Sequence, residues 1–514
     1  MIRILVVFLT MMGLQAGAQQ RLWVEFEDDP QAVLQSWRDR GATIEYRSRW
    51  FKAALVTWPA DTGLPQDDRI ANLDVLDRSA PKRMQQPKRP VHTRAVDVAS
   101  PDPSFWGFAY DDLRTVDGDL LHDMGYRGAG VNIVVMDNGY WAVDSVHLAE
   151  GWIDDDRIRP LYDEVNQDSS VFDSGTHGSY VLSVMAVDSP GVFVGAAPDA
   201  TYWLAITEDT DNEWRQEEIN WLRAAERVDS LRQAGIMQGP VILTTSLGYS
   251  LFEDPAEDYV PADMDGNTTL ITRASDRAAS KGMLVVNSAG NSGDDDWRII
   301  TAPADGDSVL AVGAIGPSEG LASFSSRGPS ADGRVKPDVV APGAEVVGLD
   351  PQGRLVYING TSFACPLIAG LAACLWQAVP SARAWDIHQA IVRAGHKAPH
   401  FDNDMGYGIP DFFNAWVDRT DTVELEAMDV LSVAPNPAGA HTTIYYRGRD
   451  DRTVTIRVID VLGRVLLEVD RRTRRRTIEP VHLDTSTWPA GTYSVQVMDG
   501  DERMIERIVK TTVR

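Results

Sequence analysis

The chain has 514 residues, which is long enough for two to four domains. Hydrophobic residues make up 44% and charged residues 24%, ordinary values that exclude a mostly disordered, collagen-like or membrane-embedded chain. The 75 acidic residues outnumber the 48 basic ones, giving a net charge of −27 that argues against binding to nucleic acid or to an anionic membrane.

The first 18 residues have the parts of a secretion signal. Arg3 supplies positive charge, residues 4–14 are apolar, and Ala16-Gly17-Ala18 matches a signal peptidase site. The apolar run is too short to span a bilayer, which takes about twenty residues. We therefore expect cleavage after Ala18 and export of the rest, with no later membrane span.

Residues 19–78 have the pattern of a small α+β domain. Residues 22–26 alternate like a strand, a short helix covers residues 32–37, and a β-rich run follows at 43–58. Residues 79–104 contain five prolines and two Lys-Arg pairs, which predicts an exposed linker open to proteolytic nicking.

Residues 105–423 alternate between strand and helix patterns. Residues 131–136, 241–247 and 283–286 are nearly all apolar, as expected for strands that are covered on both faces. Apolar residues between 221 and 231 recur at helical spacing. The alternation predicts an α/β domain with a mainly parallel sheet flanked by helices, whose active site lies at the carboxyl ends of the strands.

Residues 426–514 have a different pattern, short alternating strands separated by turns. This pattern predicts a small C-terminal β-sandwich without an acid–base site of its own. The predicted strands are 441–446, 452–459, 465–469, 492–498 and 504–510.

The cysteines and histidines predict neither a disulfide nor a zinc site. Cys365 and Cys374 lie nine positions apart in one helical run, about 13 Å of helix rise, which is too far for a disulfide. The chain has no CxxC or HExxH motif. The acidic runs at 154–156 and 294–296 offer calcium ligands but are more often solvated loops, so the sequence places no metal site.

Three polar residues stand at the ends of the predicted central elements, in the order Asp, His, Ser. Asp137 directly follows the strand at 131–136, His177 opens a helical run at 179–187, and Ser362 begins a long apolar helix. A serine hydroxyl becomes a nucleophile when a neutral imidazole takes its proton and a buried carboxylate orients that imidazole. A helix N-terminus also offers N–H groups to an oxyanion, and Asn291, after a buried strand, is a candidate second donor.

The motifs around these residues are similar to those of the subtilisin-like serine proteases, the subtilase or peptidase S8 family. They are DNG at 137–139, GTHG at 175–178, the Ala-Gly-Asn at 289–291 and NGTSFACP at 359–366. The resemblance implies a subtilisin-like fold and a role for each of four residues. These are Asp137, which orients the histidine; His177, the general base and then acid; Ser362, the nucleophile; and Asn291, the oxyanion donor.

The same resemblance implies which residues bind substrate. The substrate backbone would pair with Ser246, Leu247 and Gly248, opposite a second wall made of Ser288, Ala289 and Gly290. The chain departs from the family pattern at Asn138, Ser179 and Cys365, none of which removes a reacting group. Cys365 lies one helical turn from Ser362, where a reactive thiol would make the site sensitive to thiol reagents, but we expect both cysteines to be inert core residues.

Both ends of the chain resemble known modules. Residues 19–78 are similar to a subtilase propeptide. Segments at 433–438, 460–464 and 489–493 resemble a type IX secretion system C-terminal sorting domain, the Por secretion type. The resemblance implies export first to the periplasm and then across the outer membrane by the type IX secretion machinery, which leaves the protein secreted or on the outer cell surface.

The sequence therefore predicts a secreted serine endopeptidase that hydrolyses protein or peptide substrates through an acyl-enzyme. We expect a monomer whose chemistry requires no cofactor, while the resemblance allows structural calcium at an unknown site. The alternative is a catalytically inactive surface binding or adhesion protein on a subtilase fold. An α/β-hydrolase esterase is disfavoured because the chain lacks its G-x-S-x-G elbow and its Ser, Asp, His order.

Overall fold

A computed structural model describes most of the chain. The described residues are 19–76, 93–96, 105–210, 212–420, 431–434, 436, 438–447, 453–472, 478–499 and 502–510. The predicted signal sequence, most of the predicted linker at 79–104 and part of the sorting motif at 433–438 lie outside these residues.

The N-terminal domain is a four-stranded antiparallel sheet with one helix. Its elements are β1 (Gln19–Phe26), α1 (Gln31–Asp39), β2 (Thr43–Arg47), β3 (Ala53–Pro59) and β4 (Ile70–Leu76). The strand order is β2-β3-β1-β4. The inward residues of β1 and β3 pack on Val33, Leu34 and Trp37 of α1, which closes a small core of its own.

The central domain is built on a seven-stranded sheet in which every pair is parallel. The strands of the whole domain, including the five that lie outside this sheet, are β5 (Arg94–Ala95), β6 (Asn132–Asp137), β7 (Ile158–Asp163), β8 (Asp188–Ser189), β9 (Phe193–Val194), β10 (Thr201–Ile206), β11 (Val241–Thr245), β12 (Leu284–Ser288), β13 (Val309–Ile315), β14 (Val339–Pro342), β15 (Val346–Leu349) and β16 (Leu355–Ile358). The large sheet has the order β14-β13-β12-β11-β6-β10-β7, and β15-β16-β5 and β8-β9 form two small antiparallel sheets.

Helices cover both faces of this sheet. They are α2 (Tyr110–Thr115), α3 (Gly118–Asp123), α4 (His177–Ala186), α5 (Gln216–Gln233), α6 (Leu270–Ser280), α7 (Thr361–Ala378), α8 (Ala384–Arg393) and α9 (Phe412–Thr420). Because side chains alternate between the two faces of a strand, Ile133 and Val135 of β6 join the core beneath α4 and α7. Val134 and Met136 join a second core beneath α5 and α6.

The predicted α/β fold is therefore confirmed, and the continuous apolar runs are the central strands. Helix α7 is the one helix in the described part of the chain that is long and apolar enough to cross a membrane. It is 89% buried inside the protein, as expected for the central helix of a globular core.

The C-terminal domain consists of two antiparallel sheets that face each other across a common core. Its strands are β17 (Leu431–Ala434), β18 (His441–Arg447), β19 (Thr453–Asp460), β20 (Val465–Arg472), β21 (Ile478–Asp484), β22 (Gly491–Asp499) and β23 (Glu502–Lys510). The orders are β17-β18-β21 and β20-β19-β22-β23. Ile444 of one sheet and Ile456 and Val495 of the other share one hydrophobic cluster, which confirms the predicted sandwich.

Candidate active site

The polar residues singled out by the sequence meet at one edge of the large sheet. Asp137 is the last residue of β6, Ser246 directly follows β11, and Ser288 ends β12. These three strands are neighbours and parallel, and Thr245 is paired with both Met136 and Asn287. The carboxyl ends therefore lie side by side, where a parallel sheet places its binding site.

His177 and Asp137 contact each other directly at this edge. The Nδ1 atom of His177 lies 2.9 Å from Oδ1 and 3.0 Å from Oδ2 of Asp137. The carboxylate is 4% exposed, whereas the imidazole is 25% exposed and so is reachable from solvent. The backbone N–H of Asn138 donates to Asp137 Oδ1 at 2.8 Å and fixes the carboxylate from the other side.

Close packing brings helix α4 to the tip of β6. A Cβ atom at Gly178 would lie 3.0 Å from the Cβ of Asp137 and 2.6 Å from the carbonyl oxygen of Gly139, so only glycine fits there. The Asn138 side chain accepts a hydrogen bond from the His177 backbone N–H at 3.2 Å. Asn138, a departure from the family pattern, thus holds the first residue of α4 in place.

Ser362 is the second residue of α7, at the end of the helix where backbone N–H groups are unsatisfied. Its hydroxyl donates to the carbonyl oxygen of Ser246 at 3.3 Å, and the Ser246 hydroxyl donates back to the Ser362 carbonyl oxygen at 2.8 Å. This exchange ties α7 to the end of β11. The neighbouring Phe363 ring lies 5.8 Å from the His177 ring, so the same turn of helix contacts the imidazole.

The Asn291 side chain points toward the start of α7. Its Oδ1 atom accepts hydrogen bonds from both the backbone N–H and the hydroxyl of Thr361, each at 2.9 Å. Because its oxygen is held in this way, the carboxamide presents its Nδ2 donor in a fixed direction beside Gly360. No sequence pattern indicates that Thr361 orients this amide, since the contact joins residues 70 positions apart.

The two predicted substrate-binding segments form facing walls, residues 246–248 and residues 288–290. The Asn287 amide and the Ser288 hydroxyl donate to the Leu247 carbonyl oxygen at 3.0 and 3.3 Å, and so link the walls where they leave the sheet. Leu247 and Gly248 are partly exposed, as is Gly290 on the other side. The walls therefore open toward solvent at the edge that carries Ser362.

Comparison with known proteins identifies the fold and its chemistry. Residues 128–408 match the model of the subtilase family, which is more than half of the chain. This chain belongs to the subtilase family. It is 30% identical over 304 residues to subtilisin E of Bacillus subtilis, a match that covers 58% of this chain and 68% of that protein.

Other subtilases are similarly related. The thermophilic serine proteinase of a Bacillus species is 29% identical over 316 residues, with 61% of this chain and 68% of that protein covered. The subtilisin of Bacillus pumilus is 28% identical over 303 residues, or 94% of its length. The chain is accordingly a serine-type endopeptidase, as predicted.

The C-terminal domain is identified separately. Residues 432–511 match the model of a secretion system C-terminal sorting domain. The predicted type IX sorting domain is thus confirmed, and it marks this subtilase for delivery to the cell surface or beyond.

A cysteine beside the predicted site and a separate cluster of glutamates also have defined positions in the structure. Cys365 is fully buried, and burial raises the pKa of its thiol to about 12. Among the described residues, Glu208, Glu213 and Glu217 form one acidic group whose oxygens lie within 4.8 Å of one another. The acidic runs at 154–156 and 294–296 do not contribute to that group. Two of its members already accept hydrogen bonds, Glu208 from Tyr249 and Glu217 from the backbone of Asp209 and Trp214.

Proposed function

We propose that this subtilase hydrolyses peptide bonds through an acyl-enzyme on Ser362. The observation that carries the proposal is the contact of His177 Nδ1 with the buried Asp137 carboxylate, beside the N-terminus of the helix that holds Ser362. With Nδ1–H donated to Asp137, Nε2 is the ring nitrogen that takes a proton from the Ser362 hydroxyl.

The reaction follows from these positions. Ser362 Oγ attacks the substrate carbonyl carbon while His177 accepts its proton, and the carbonyl oxygen becomes an oxyanion. The Asn291 Nδ2 group and the backbone N–H at the start of α7 donate to that oxyanion. His177 then protonates the leaving amine, and a water molecule hydrolyses the acyl-enzyme in the reverse sequence of proton transfers.

Substrate binding follows the walls already described. We propose that an extended substrate lies between residues 246–248 and residues 288–290, with backbone hydrogen bonds to the exposed edge formed by Leu247 and Gly248. This chemistry uses protein groups alone, so it requires no metal ion or organic cofactor at the reacting bond. Structural calcium remains a separate proposal.

The test compares the secreted protein with its Ser362→Ala variant. We expect the protein to cleave unfolded casein and to react covalently with a fluorophosphonate probe, and the variant to do neither. Ser280→Ala is the matched control, because Ser280 is exposed at the end of α6, just before the amino end of β12 and so at the opposite edge of the sheet. Retained turnover or labelling in the Ser362→Ala variant would refute the assignment of the nucleophile.

We propose that residues 19–78 act as a propeptide on this catalytic domain. The described part of the domain packs against α5 and α6. Glu226 of α5 accepts hydrogen bonds from the backbone N–H groups of Arg49 and Trp50 at 2.9 Å. Glu25 of β1 pairs with Arg273 of α6 at 2.7 Å.

We also propose that export proceeds in two steps, with signal cleavage in the periplasm and passage of the outer membrane directed by residues 426–514. Deletion of that segment should leave an active protease in the periplasm, because the catalytic domain has a separate core. Cell fractionation measures the outcome, and normal secretion of the truncated chain would refute the sorting role.

A further inference from the structure

The hairpin that joins β19 and β20 concentrates the exposed apolar side chains of the sorting domain. Five large apolar side chains are exposed in the described part of that domain, and four of them lie on this hairpin. They are Val461 and Leu462, 77% and 76% exposed, and Val465 and Leu466, 49% and 44% exposed. We call these four residues the hairpin patch. A contiguous apolar patch on the surface of a soluble domain usually marks an interaction site.

The turn of this hairpin is built so that its two apolar side chains face solvent. The Asp460 carboxylate accepts hydrogen bonds from the backbone N–H groups of Leu462 and Arg464, each at 2.9 Å, and from the Arg464 side chain at 2.6 Å. Gly463 adopts the left-handed conformation that the turn requires, with a φ of 79°. Asp460 thus fixes the turn from within, so Val461 and Leu462 are held outward in one defined conformation.

The same hairpin carries an open strand edge. β20 is the outermost strand of its sheet, with β19 as its one neighbour among the described strands. Leu467 and Val469 pack on the core of the sandwich, whereas Leu466 is the extra residue of a β-bulge and is exposed. The backbone groups on the outer side of β20 can therefore pair with another strand directly beside the hairpin patch.

The opposite edge of this sheet is closed. The Asn436 side chain donates to the backbone carbonyl oxygen of Arg507 at 2.6 Å and accepts from the N–H of Val509 at 2.8 Å, both on β23. The Ala438 N–H donates to the Val509 carbonyl oxygen at 2.7 Å. Natural proteins usually cover or charge a sheet edge, because an open edge pairs with other strands. Here the chain covers one edge and leaves the other open beside an apolar patch, which indicates that a partner binds there.

We propose that the β19–β20 hairpin is the surface by which the type IX secretion machinery binds the sorting domain. A subunit of the machinery adds a strand to the edge of β20 and takes Val461 and Leu462 into an apolar pocket. In strand addition, backbone hydrogen bonds supply affinity and side-chain pockets supply specificity. The proposal rests on the proposed role of residues 426–514 in export, and it is supported by the match of residues 432–511 to a sorting domain.

Other occupants fit the hairpin patch less well. Four partly exposed aliphatic side chains offer roughly 400 Å² or less, about half of what each partner of a stable dimer buries. Two copies would also bring together chains that each carry a net charge of −27. The catalytic domain approaches the other sheet of the sandwich, where the His441 ring lies 6.5 Å from that of Trp106. A small apolar surface beside a strand edge suits a transient contact, which export needs because the machinery must release the chain.

The experiment measures the rate of secretion of the full-length chain by pulse–chase and cell fractionation. One variant combines Val461→Thr with Leu462→Asn and so removes the apolar turn residues. A second, Leu466→Lys, places a charge at the open edge. The control is Ile505→Thr, which removes the fifth exposed apolar side chain, 60% exposed on β23. Circular dichroism of each purified chain establishes that it is folded.

We expect both hairpin variants to be secreted about tenfold more slowly or worse and to accumulate in the periplasm. The reason is that truncating a central apolar anchor commonly weakens a protein interface by that much. The Ile505→Thr chain should be secreted at the unmodified rate. An equal loss of secretion in Ile505→Thr would overturn the assignment, because it would show that the whole sheet rather than the hairpin matters.

Cross-linking tests the contact directly. A photoreactive benzoylphenylalanine in place of Leu462 should capture a subunit of the type IX machinery, identified by mass spectrometry, whereas the same group in place of Ile505 should not. Absence of that capture, or equal capture from both positions, would overturn the proposal. Size-exclusion chromatography tests the other occupant, since a dimer that the Val461→Thr, Leu462→Asn variant abolishes would make the patch a contact between two copies.

Deletion of residues 426–514 separates this proposal from the export role itself. If the shortened chain is secreted normally, the export role fails, and the hairpin assignment fails with it. If the deletion blocks secretion but the folded hairpin variants are secreted at the unmodified rate, only the hairpin assignment is overturned. If the double variant does not fold, Leu466→Lys and the cross-linker in place of Leu462 decide the outcome.

Discussion

His177 presents Nδ1 to both carboxylate oxygens of Asp137, at 2.9 and 3.0 Å, rather than to one of them. A carboxylate bound in this way accepts the Nδ1 proton with either oxygen. It therefore restrains the imidazole rotation and selects the tautomer whose Nε2 faces the substrate side. The contact is possible because Gly178 lets α4 approach the end of β6.

Replacing Asp137 by asparagine should therefore lower kcat by about 10⁴-fold, because an amide can donate to Nδ1 and so favour the wrong tautomer. The measurement is peptide hydrolysis at neutral pH, beside circular dichroism to establish that the variant is folded. Asp144→Asn is the control, as Asp144 is exposed and lies seven residues further on. Loss of less than tenfold in a folded Asp137→Asn variant would contradict the assigned role.

The second prediction concerns Asn291, the proposed donor to the oxyanion, which contributes to the transition state and not to substrate binding. Replacing Asn291 by alanine should lower kcat by about 10²- to 10³-fold with little change in KM, because the amide binds the oxyanion rather than the substrate. Thr361→Val should give a smaller fall, since it removes one of the two bonds that hold the amide oxygen. Equal losses in kcat and in substrate affinity would instead indicate a structural role for Asn291.

Some site residues could be placed at the sheet edge from the sequence because they directly follow continuous apolar segments. Buried parallel strands need such runs, and Asp137 and the 288–290 wall come at their ends. Parallel pairing then brings residues far apart in sequence to one edge. Motif and topology together thus predicted where Asp137, His177 and Ser362 would lie.

Other features depend on contacts that leave no local pattern. Thr361 orients the Asn291 amide, for example, although the two residues are 70 positions apart. Strand β21 was not predicted because Pro480 interrupts it, yet a proline is tolerated there since β21 is an edge strand of its sheet. The edge strand β4 was missed because polar residues break its alternation.

The contact between the N-terminal domain and α5 leads to a third prediction. The Glu226 carboxylate is 2% exposed and accepts hydrogen bonds from Ser48, Arg49 and Trp50, so Glu226→Ala removes several bonds to a charged group. In a Ser362→Ala chain nicked within the linker, we expect the N-terminal domain to dissociate about 10- to 100-fold more readily.

Size-exclusion chromatography of the nicked chain measures that release. Glu150→Gln serves as the control, because Glu150 is exposed on the catalytic domain and contacts no residue of the N-terminal domain among the described contacts. If the N-terminal domain of the Glu226→Ala chain stays bound as firmly as that of the control, the propeptide interface does not depend on this carboxylate.

The burial of Cys365 gives a prediction about thiol reagents, and it agrees with the inert core position expected from the sequence. Its Sγ atom is fully buried, near the Thr244 hydroxyl at 3.5 Å, and burial raises the thiol pKa to about 12. Thiol reagents attack the thiolate, so N-ethylmaleimide should leave the native protease active and both cysteines unmodified. Mass spectrometry should find two modified cysteines only after unfolding, and inactivation of the folded protease would show that α7 opens.

The last prediction concerns the paired carboxyl groups that precede α3 and α9. The charges of Asp117 and Asp411 repel each other, so the pair is more stable when one of the two carboxyl groups keeps its proton. Burial raises the Asp117 pKa to about 8. The negative charges of Asp411 and Asp119 also raise it, and they outweigh the positive charge of Arg114, which lowers it. The folded protein therefore holds a proton that the unfolded chain releases near its ordinary pKa of about 4, so this group destabilises the fold as the pH rises from about 4 to 8.

Replacing Asp117 by asparagine should remove this loss of stability with rising pH, because an amide can donate to Asp411 and does not titrate. Asparagine also suits the left-handed backbone of residue 117, whose φ is 53°. In a Ser362→Ala background we expect the urea midpoint of the Asp117→Asn variant to exceed that of the parent more at pH 8 than at pH 5. Asp111→Asn, on the exposed face of α2, should show no such pH dependence, and an equal gain for Asp117→Asn at both pH values would mean that the pair holds no shared proton.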